Sequence, residues 1–417
     1  MGSQEADKKT GVWLIGARGA IAVTVILGTC AVRRGLMPST GMVTAQKLFE
    51  PLGLVSLDRL AFGGWDVRAT PLMECVWELY HETYAFDPEL ARRLEKDIRR
   101  VEPFLRAGTL YNCGQGIEEM AEGGTGRAVA LASEVERLRA DIRWFKKRIK
   151  ADRVIVVNVA STEPPIFWEA VHHDPEAFEK AVRQGQLGNR IRASTLYAYA
   201  AVLEGCPYIN FTPSNGALIP ALVKLAQRTG VPVMGNDGKT GETLVKSALA
   251  PLFACRNLEV MSWEGFNILG NRDGKVLACD DNKASKKQTK EGLLGEILGY
   301  RPHAEVHIHY VPSLHDQKTA WDFIHFKGFL GARMSLQFIW QGFDSFLAAP
   351  LVLDLVRLAD LAQRRGESGL MPQTASFFKA PLGVPEHRLS EQYAMLERYV
   401  DRIVNERMAA QRPTVRR

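Results

Sequence analysis

The sequence contains no apolar run long enough to cross a membrane. The stretch around Ile21–Leu27 falls far short of the roughly 20 residues that a spanning helix needs. Its first ten residues, MGSQEADKKT, hold no apolar core segment, so they read as a polar leader and the expected location is the cytoplasm. Cysteine is sparse and unpatterned: the six residues (Cys30, Cys75, Cys113, Cys206, Cys255, Cys279) never take CxxC spacing. That argues against a zinc or disulfide framework and for buried thiols. Neither internal repeats nor low-complexity tracts stand out. The excess of positive charge is also small, +6 over 417 residues, with lysines gathered locally in the 275–290 region. Such a balance suits an anionic small molecule, a phosphate above all, better than a nucleic-acid face. What remains, at 46% hydrophobic and 24% charged, is globular composition. The length favours two domains, or one large α/β domain with an insertion.

GVWLIGARGAIAVTVILG reads as a buried strand (Val12 to Ile15), a glycine turn and an apolar helix from near Ala20. That is the opening of a nucleotide-binding βα unit. Gly16 permits the tight turn, Gly19 lets backbone amides approach a pyrophosphate, and the helix start supplies partial positive charge. Ala22 stands where a third glycine could be, and the acid expected roughly 20 residues on is missing, since the next one after the helix is Glu50. Asp66, in FGGWDV, is the later candidate.

Residues 80–150 are charged with helical periodicity, and Asp87 before Pro88 marks a helix start. RVIVVNVAST, CPYINFTPSNG and VPVMGND are short apolar strands with small polar residues at their ends. Strand and helix in alternation predict a doubly wound α/β sheet with ligands at the carboxyl ends of its strands, where Asn158, Ser161, Thr162, Thr212, Ser214 and Asn215 would line a crevice. NLEVMSWEGFNILGN and AEVHIHYVPSL have the alternation of a different, inserted sheet. After Asp316 the apolar segments FLGARMSLQFIW and FLAAPLVLDLVRLADLA predict a return to helix.

Taken in order, GVWLIGARG, FGGWDV, LYNCGQGI, VVNVASTEPP, FTPSNG, GNDGKTGETLVKSALAP, FNILGNRDGKVL, DNKASK, HDQKTAWDFIHFKGFLG and FFKAPL resemble the myo-inositol-1-phosphate synthase family, in its compact archaeal and bacterial form, over nearly the whole chain. The resemblance implies a Rossmann-like domain interrupted by an α+β tetramerisation domain: 1–243 as its first part, 244–318 as the insertion and 319–417 as the return. It also implies an NAD-dependent cyclisation of glucose 6-phosphate to myo-inositol 1-phosphate by a homotetramer. The steps are oxidation at C5, enolisation at C6, aldol closure onto C1 and re-reduction, with NAD regenerated in each cycle. Cofactor positions carried over are Gly16, Arg18, Gly19, Ala20, Ile21, Asp66, Ala160, Ser161, Thr162, Ser214, Gly235, Asp237, Asn271, Asp316, Asp344 and Ser345. Substrate positions are Thr240, Gly241, Glu242, Asn267, Leu269 and Asp273.

Lys286, Lys290, Lys318 and Lys379 match the family's catalytic lysines. Clustered lysines depress one another's pKa, so that one can act as a neutral base while its neighbours stay charged. By resemblance Lys290 and Lys318 hold the phosphate and the C1 oxygen, and Lys286 and Lys379 move protons. DDNKASKKQTKEG has like charge and no large apolar anchor, so it is expected to order only over bound substrate. Glu242 in a phosphate-binding turn needs a counter-charge, for which Lys239 and Lys246 are the candidates. The carboxylate and phosphate cluster leaves room for a divalent cation, with no ligand set legible, and His307 and His309 share a strand face without a third ligand by spacing. Two alternatives stay open: a relative that closes a five-membered carbocycle from fructose 6-phosphate, and a catalytically silent NAD-binding scaffold, against which the four lysines count.

Overall fold

The computed structural model describes residues 8–124, 129–270 and 293–411. Its larger sheet holds β1 (Thr10–Ile15), β2 (Leu60–Asp66), β3 (Leu105–Ala107), β4 (Arg153–Asn158), β5 (Tyr208–Asn210), β6 (Pro232–Gly235) and, from the far end of the chain, β11 (Gly369–Leu370). The smaller sheet holds β7 (Glu259–Leu269), β8 (His303–Tyr310), β9 (Gln317–Lys327) and β10 (Arg333–Phe343). The helices that cover them are α1 (Ala20–Arg33), α2 (Leu72–Thr83), α3 (Pro88–Arg99), α4 (Leu131–Ile149), α5 (Pro175–Gln184), α6 (Ala193–Leu203), α7 (Pro220–Arg228), α8 (Gly241–Cys255), α9 (Asp344–Arg364) and α10 (Leu389–Gln411).

The larger sheet is wholly parallel, in the order β11-β6-β5-β4-β1-β2-β3. A parallel sheet is buried on both faces, which is why β1 reads as an unbroken apolar run. Val12 and Leu14 enter one core with α1, α2, α3, α9 and α10, while Trp13 and Ile15 enter the other with α4 to α7. Strand order reverses between β1 and β4, and the carboxyl ends of those two strands open a crevice there. The doubly wound fold expected from the sequence is present. Asp87 caps α3 as its position suggests, accepting from the Glu89 amide at 2.8 Å.

The smaller sheet, ordered β10-β9-β7-β8, is mixed: β9 runs antiparallel to β7 and β10, and β8 runs parallel to β7. Here the structure departs from the expected course of the chain. FLGARMSLQFIW is not helical, because Leu336 and Phe338 turn toward the cluster around Trp263 and Phe253 while Gln337 and Ile339 face outward, a period of two. The second sheet therefore continues to Phe343, and helix resumes only at Asp344. On its inner face the sheet meets α8, through Ala250 and Phe253. Cys30, Cys75, Cys113 and Cys206 are buried as expected, whereas Cys255 at the end of α8 is exposed and Cys279 lies outside the described residues. Among the described residues no helix is long and apolar enough to cross a membrane.

Candidate active site

At the β1 and β4 carboxyl ends, Gly16 turns with φ +80°, and a Cβ on it would come within 2.8 Å of the Ala160 Cα. Its amide and that of Ala17 donate to Trp65 O, tying the turn to β2. Gly19 begins α1 without any side-chain cap, and the first turn of that helix has no acid. Its amides are thus left for an anion. Asp66 closes β2: Oδ2 accepts from the Arg18 amide at 2.6 Å and Oδ1 from the Arg68 amide at 2.8 Å. Burial raises its pKa, and those two amides hold part of the rise back. The Arg18 guanidinium reaches along the wall to Thr70 O and Glu102. A glycine turn that excludes a Cβ, an uncapped helix start and an acid at the end of the second strand fit a dinucleotide.

The same cleft runs on to two lysine–carboxylate pairs. Lys379, nearly buried, donates to Asp237 Oδ1 at 2.8 Å, and Asp237 Oδ2 is buried without a hydrogen-bond partner. Lys318 lies 3.2 Å from Asp344 Oδ2, whose Oδ1 accepts from Thr240 Oγ1 at 3.1 Å. Thr240 and Asp344 stand at the starts of α8 and α9, so two helix N-termini and one ammonium converge. Ser345 donates to Asp316 at 2.7 Å beside them.

Behind this wall, Glu242 accepts from Asn267 Nδ2 at 2.6 Å and pairs with Lys246 at 2.5 Å. Lys246 also lies 3.3 Å from Asp322, which Trp263 Nε1 holds at 2.7 Å. Burial alone would lower the Lys246 pKa, but Glu242 and Asp322 outweigh it and raise the ammonium above its ordinary value. So Lys246 is the counter-charge of Glu242, at 6% exposure and not on an outer helix face. Lys239 is not part of that balance. It is fully buried, donates to Gln392 on α10, and is pulled down to about 7, first by burial and then by the charge of Lys379.

The structure brings together on one cleft Gly16, Arg18, Gly19, Ala20, Ile21, Asp66, Ala160, Ser161, Thr162, Asp237, Thr240, Asn267, Leu269, Asp316, Lys318, Asp344, Ser345 and Lys379. A Cβ on Gly241 would lie 3.8 Å from Lys318 Nζ, at the same corner. Three expected positions stand behind the wall: Ser214, which accepts from the Glu163 amide, Gly235 at the end of β6, and Glu242. Asn215 is spent on Ile166, holding the loop after β4. Asn271, Asp273, Lys286 and Lys290 lie outside the described residues, as does the stretch expected to order over substrate. His307 lies 3.5 Å from both Glu264 and Glu305, and its ring stacks on that of His309 with centroids 6.4 Å apart.

Of the cleft residues that escaped the sequence reading, one carries a shifted acid. Glu163, of TEPP, is buried and accepts from the amide and hydroxyl of Ser194 at the start of α6. Burial lifts its pKa to about 7 in spite of those bonds. Its place directly after Ser161 and Thr162 was the available signal.

An NAD-binding family model described as myo-inositol-1-phosphate synthase matches residues 10–401. The chain belongs to the myo-inositol-1-phosphate synthase family. An inositol-3-phosphate synthase of Bacteroides thetaiotaomicron is 33% identical to it over 433 aligned positions, spanning 96% of this chain and 97% of that protein. The Rattus norvegicus enzyme is 33% identical over 359 positions, but this chain spans only 62% of its length. A crystal structure of inositol-3-phosphate synthase from Caenorhabditis elegans superposes with a TM-score of 0.85 at 26% identity, over 98% of this chain and 90% of that one. A synthase-related protein from Thermotoga maritima superposes at 0.77, also at 26% identity, over 94% of this chain and 98% of that one. Membership makes this chain an enzyme of the isomerase and cyclase type, and the full-length bacterial match agrees with the compact form of the family.

Proposed function

We propose that the protein cyclises glucose 6-phosphate to an inositol monophosphate in a cycle that oxidises and re-reduces the same carbon. One observation carries this reading: a single cleft joins a dinucleotide-type turn to two lysine–aspartate pairs set at helix starts. NAD, held by Gly16, Gly19, Asp66 and the segment after β4, supplies removal and return of hydride at C5.

The chain's own residues supply the rest. Thr240, Gly241 and Lys318 take the anionic end of the substrate, where the partial positive charge of α8 and α9 adds to the ammonium. Asp344 holds Lys318 in position for it. The Lys379–Asp237 pair, shielded from water, moves the proton at the C5 oxygen and stabilises charge developing there, which a low-dielectric site strengthens. Lys286 and Lys290 join this set by family resemblance, in proton movement and in phosphate binding. The carboxylates at this end, Asp237, Asp316 and Asp344, leave room for a divalent cation beside the substrate phosphate.

We place the outer face of the second sheet between subunits of a homotetramer. Across its four strands His307, Phe266, Trp321 and Ile339 stand opposite one another in register, and Phe266 stacks on His307 and Trp321. Ile339 is 68% exposed in the single chain. An apolar sheet face that no helix covers among the described residues is buried by a partner.

The deciding experiment incubates purified protein with glucose 6-phosphate, or fructose 6-phosphate, without added reductant and identifies products by NMR. Expected is an inositol monophosphate from the aldose, with no net NADH. Stoichiometric NADH, or a five-membered product from the ketose, sinks the proposal.

A further inference from the structure

The polar groups beneath the substrate end of the cleft are wired with a single polarity. Asn267 lines the cleft and is 1% exposed. A side-chain amide has a donor face and an acceptor face of nearly the same shape, so its neighbours decide which points where. Its neighbour Glu242 can only accept, because Lys246 Nζ lies 2.5 Å from its other oxygen and a carboxylate pressed against an ammonium keeps no proton to give. Lys246 is fixed in turn by Asp322, itself held by Trp263. The group is packed onto β7 at Gly265, where a Cβ would come within 2.5 Å of Glu242 and 2.8 Å of Lys246. Asn267 must therefore give its NH₂ to Glu242 and turn Oδ1 away. That Oδ1 is buried with no hydrogen-bond partner.

We infer that Glu242, acting through Asn267, sets the Asn267 side of the cleft to accept one hydroxyl of the sugar chain and leaves the phosphate to Thr240, Gly241 and Lys318, making Glu242 a positioning residue and not a substrate contact. The inference rests on the sugar-phosphate reading above. The oxygens of a phosphate dianion only accept and cannot satisfy a carbonyl, whereas a hydroxyl can. A buried acceptor left empty is costly, so a substrate lacking that hydroxyl is penalised.

Replacing Glu242 by glutamine should invert the corner. Lys246 can only donate, so the new amide must turn its oxygen to Lys246 and its NH₂ to Asn267, which then flips and presents a donor to the cleft. The test is calorimetry on the NAD-loaded protein with glucitol 6-phosphate and its mono-deoxy forms. In the wild type one deoxy form should bind at least about tenfold more weakly than the parent. In Glu242→Gln the parent should weaken, and the gap between the two should close to within about threefold. Melting temperature within a few degrees of wild type shows that the variant is folded; if it is not, Asn267→Ala carries the same expectation. Equal binding of all deoxy forms by the wild type, or an undiminished gap in Glu242→Gln or Asn267→Ala, overturns the inference. A wild type that binds no hexitol phosphate at all instead overturns the functional reading on which it stands.

Discussion

Lys379 and Glu163 are both buried, and they predict different outcomes. Removing the Lys379 ammonium, as in Lys379→Met, should lower kcat by about 10²–10⁴, the usual contribution of a positioned proton-transfer group. NAD should stay bound, because its turn at Gly16 lies on a separate part of the sheet. The variant should also melt earlier, since Asp237 would be left buried without its cation. Adding Asp237→Asn should restore melting temperature but not turnover, and recovery of turnover would contradict the assignment. For Glu163, the folded pKa near 7 stands above the unfolded 4.5, so folding favours the neutral form. Its stabilising contribution is complete below about pH 4.5 and is lost as pH rises through about 7, a swing of about 3 kcal/mol. Glu163→Gln, which keeps the neutral shape, should flatten the fall in melting temperature between pH 5 and 8. An unchanged slope would mean that the carboxyl ionises freely in the fold.

Among the elements, the β1 turn makes the sharpest demand. Gly16→Ala must place a Cβ against the Ala160 backbone at a positive φ, which by itself costs about 1–2 kcal/mol. The purified variant should carry less NAD by absorbance and melt earlier; full cofactor occupancy would show that the turn has another use. This turn, the strands β1, β4, β5 and β6 and the helix after Thr240 were legible in the sequence, because continuous apolar runs and glycines are local signals, whereas the three residues of β3 are lost within a stretch of helical periodicity. What escaped depends on distant partners. Lys246 was legible as a counter-charge of Glu242, four residues before it, but its second carboxylate was not, because Asp322 lies 76 positions along the chain, on β9. Lys239 resembled a counter-charge because the closing contact of α10, Gln392, arrives from 153 residues away. β10 was taken for helix because its apolar mass masked a period of two.

At the scale of the whole molecule, the row of His307, Phe266, Trp321 and Ile339 predicts assembly. Light scattering at micromolar concentration should give the mass of four chains, and Ile339→Lys, which sets a charge in the middle of that face, should give a smaller species. A wild-type monomer would contradict the placement of the interface. The order in which the site is built has a different consequence. The dinucleotide turn is complete once β4 has paired with β1, whereas Lys379 joins only when the segment near the end of the chain pairs with the turn after β6, through Lys239 N to Phe377 O and Lys379 N to Asp237 O. Synthesis delivers the N-terminus first, so the residues of the dinucleotide turn are made some 200 residues before Lys379. The last-made part of the polypeptide thus closes one core of the sheet, through α9 and α10, and delivers Lys379 to the cleft in the same step.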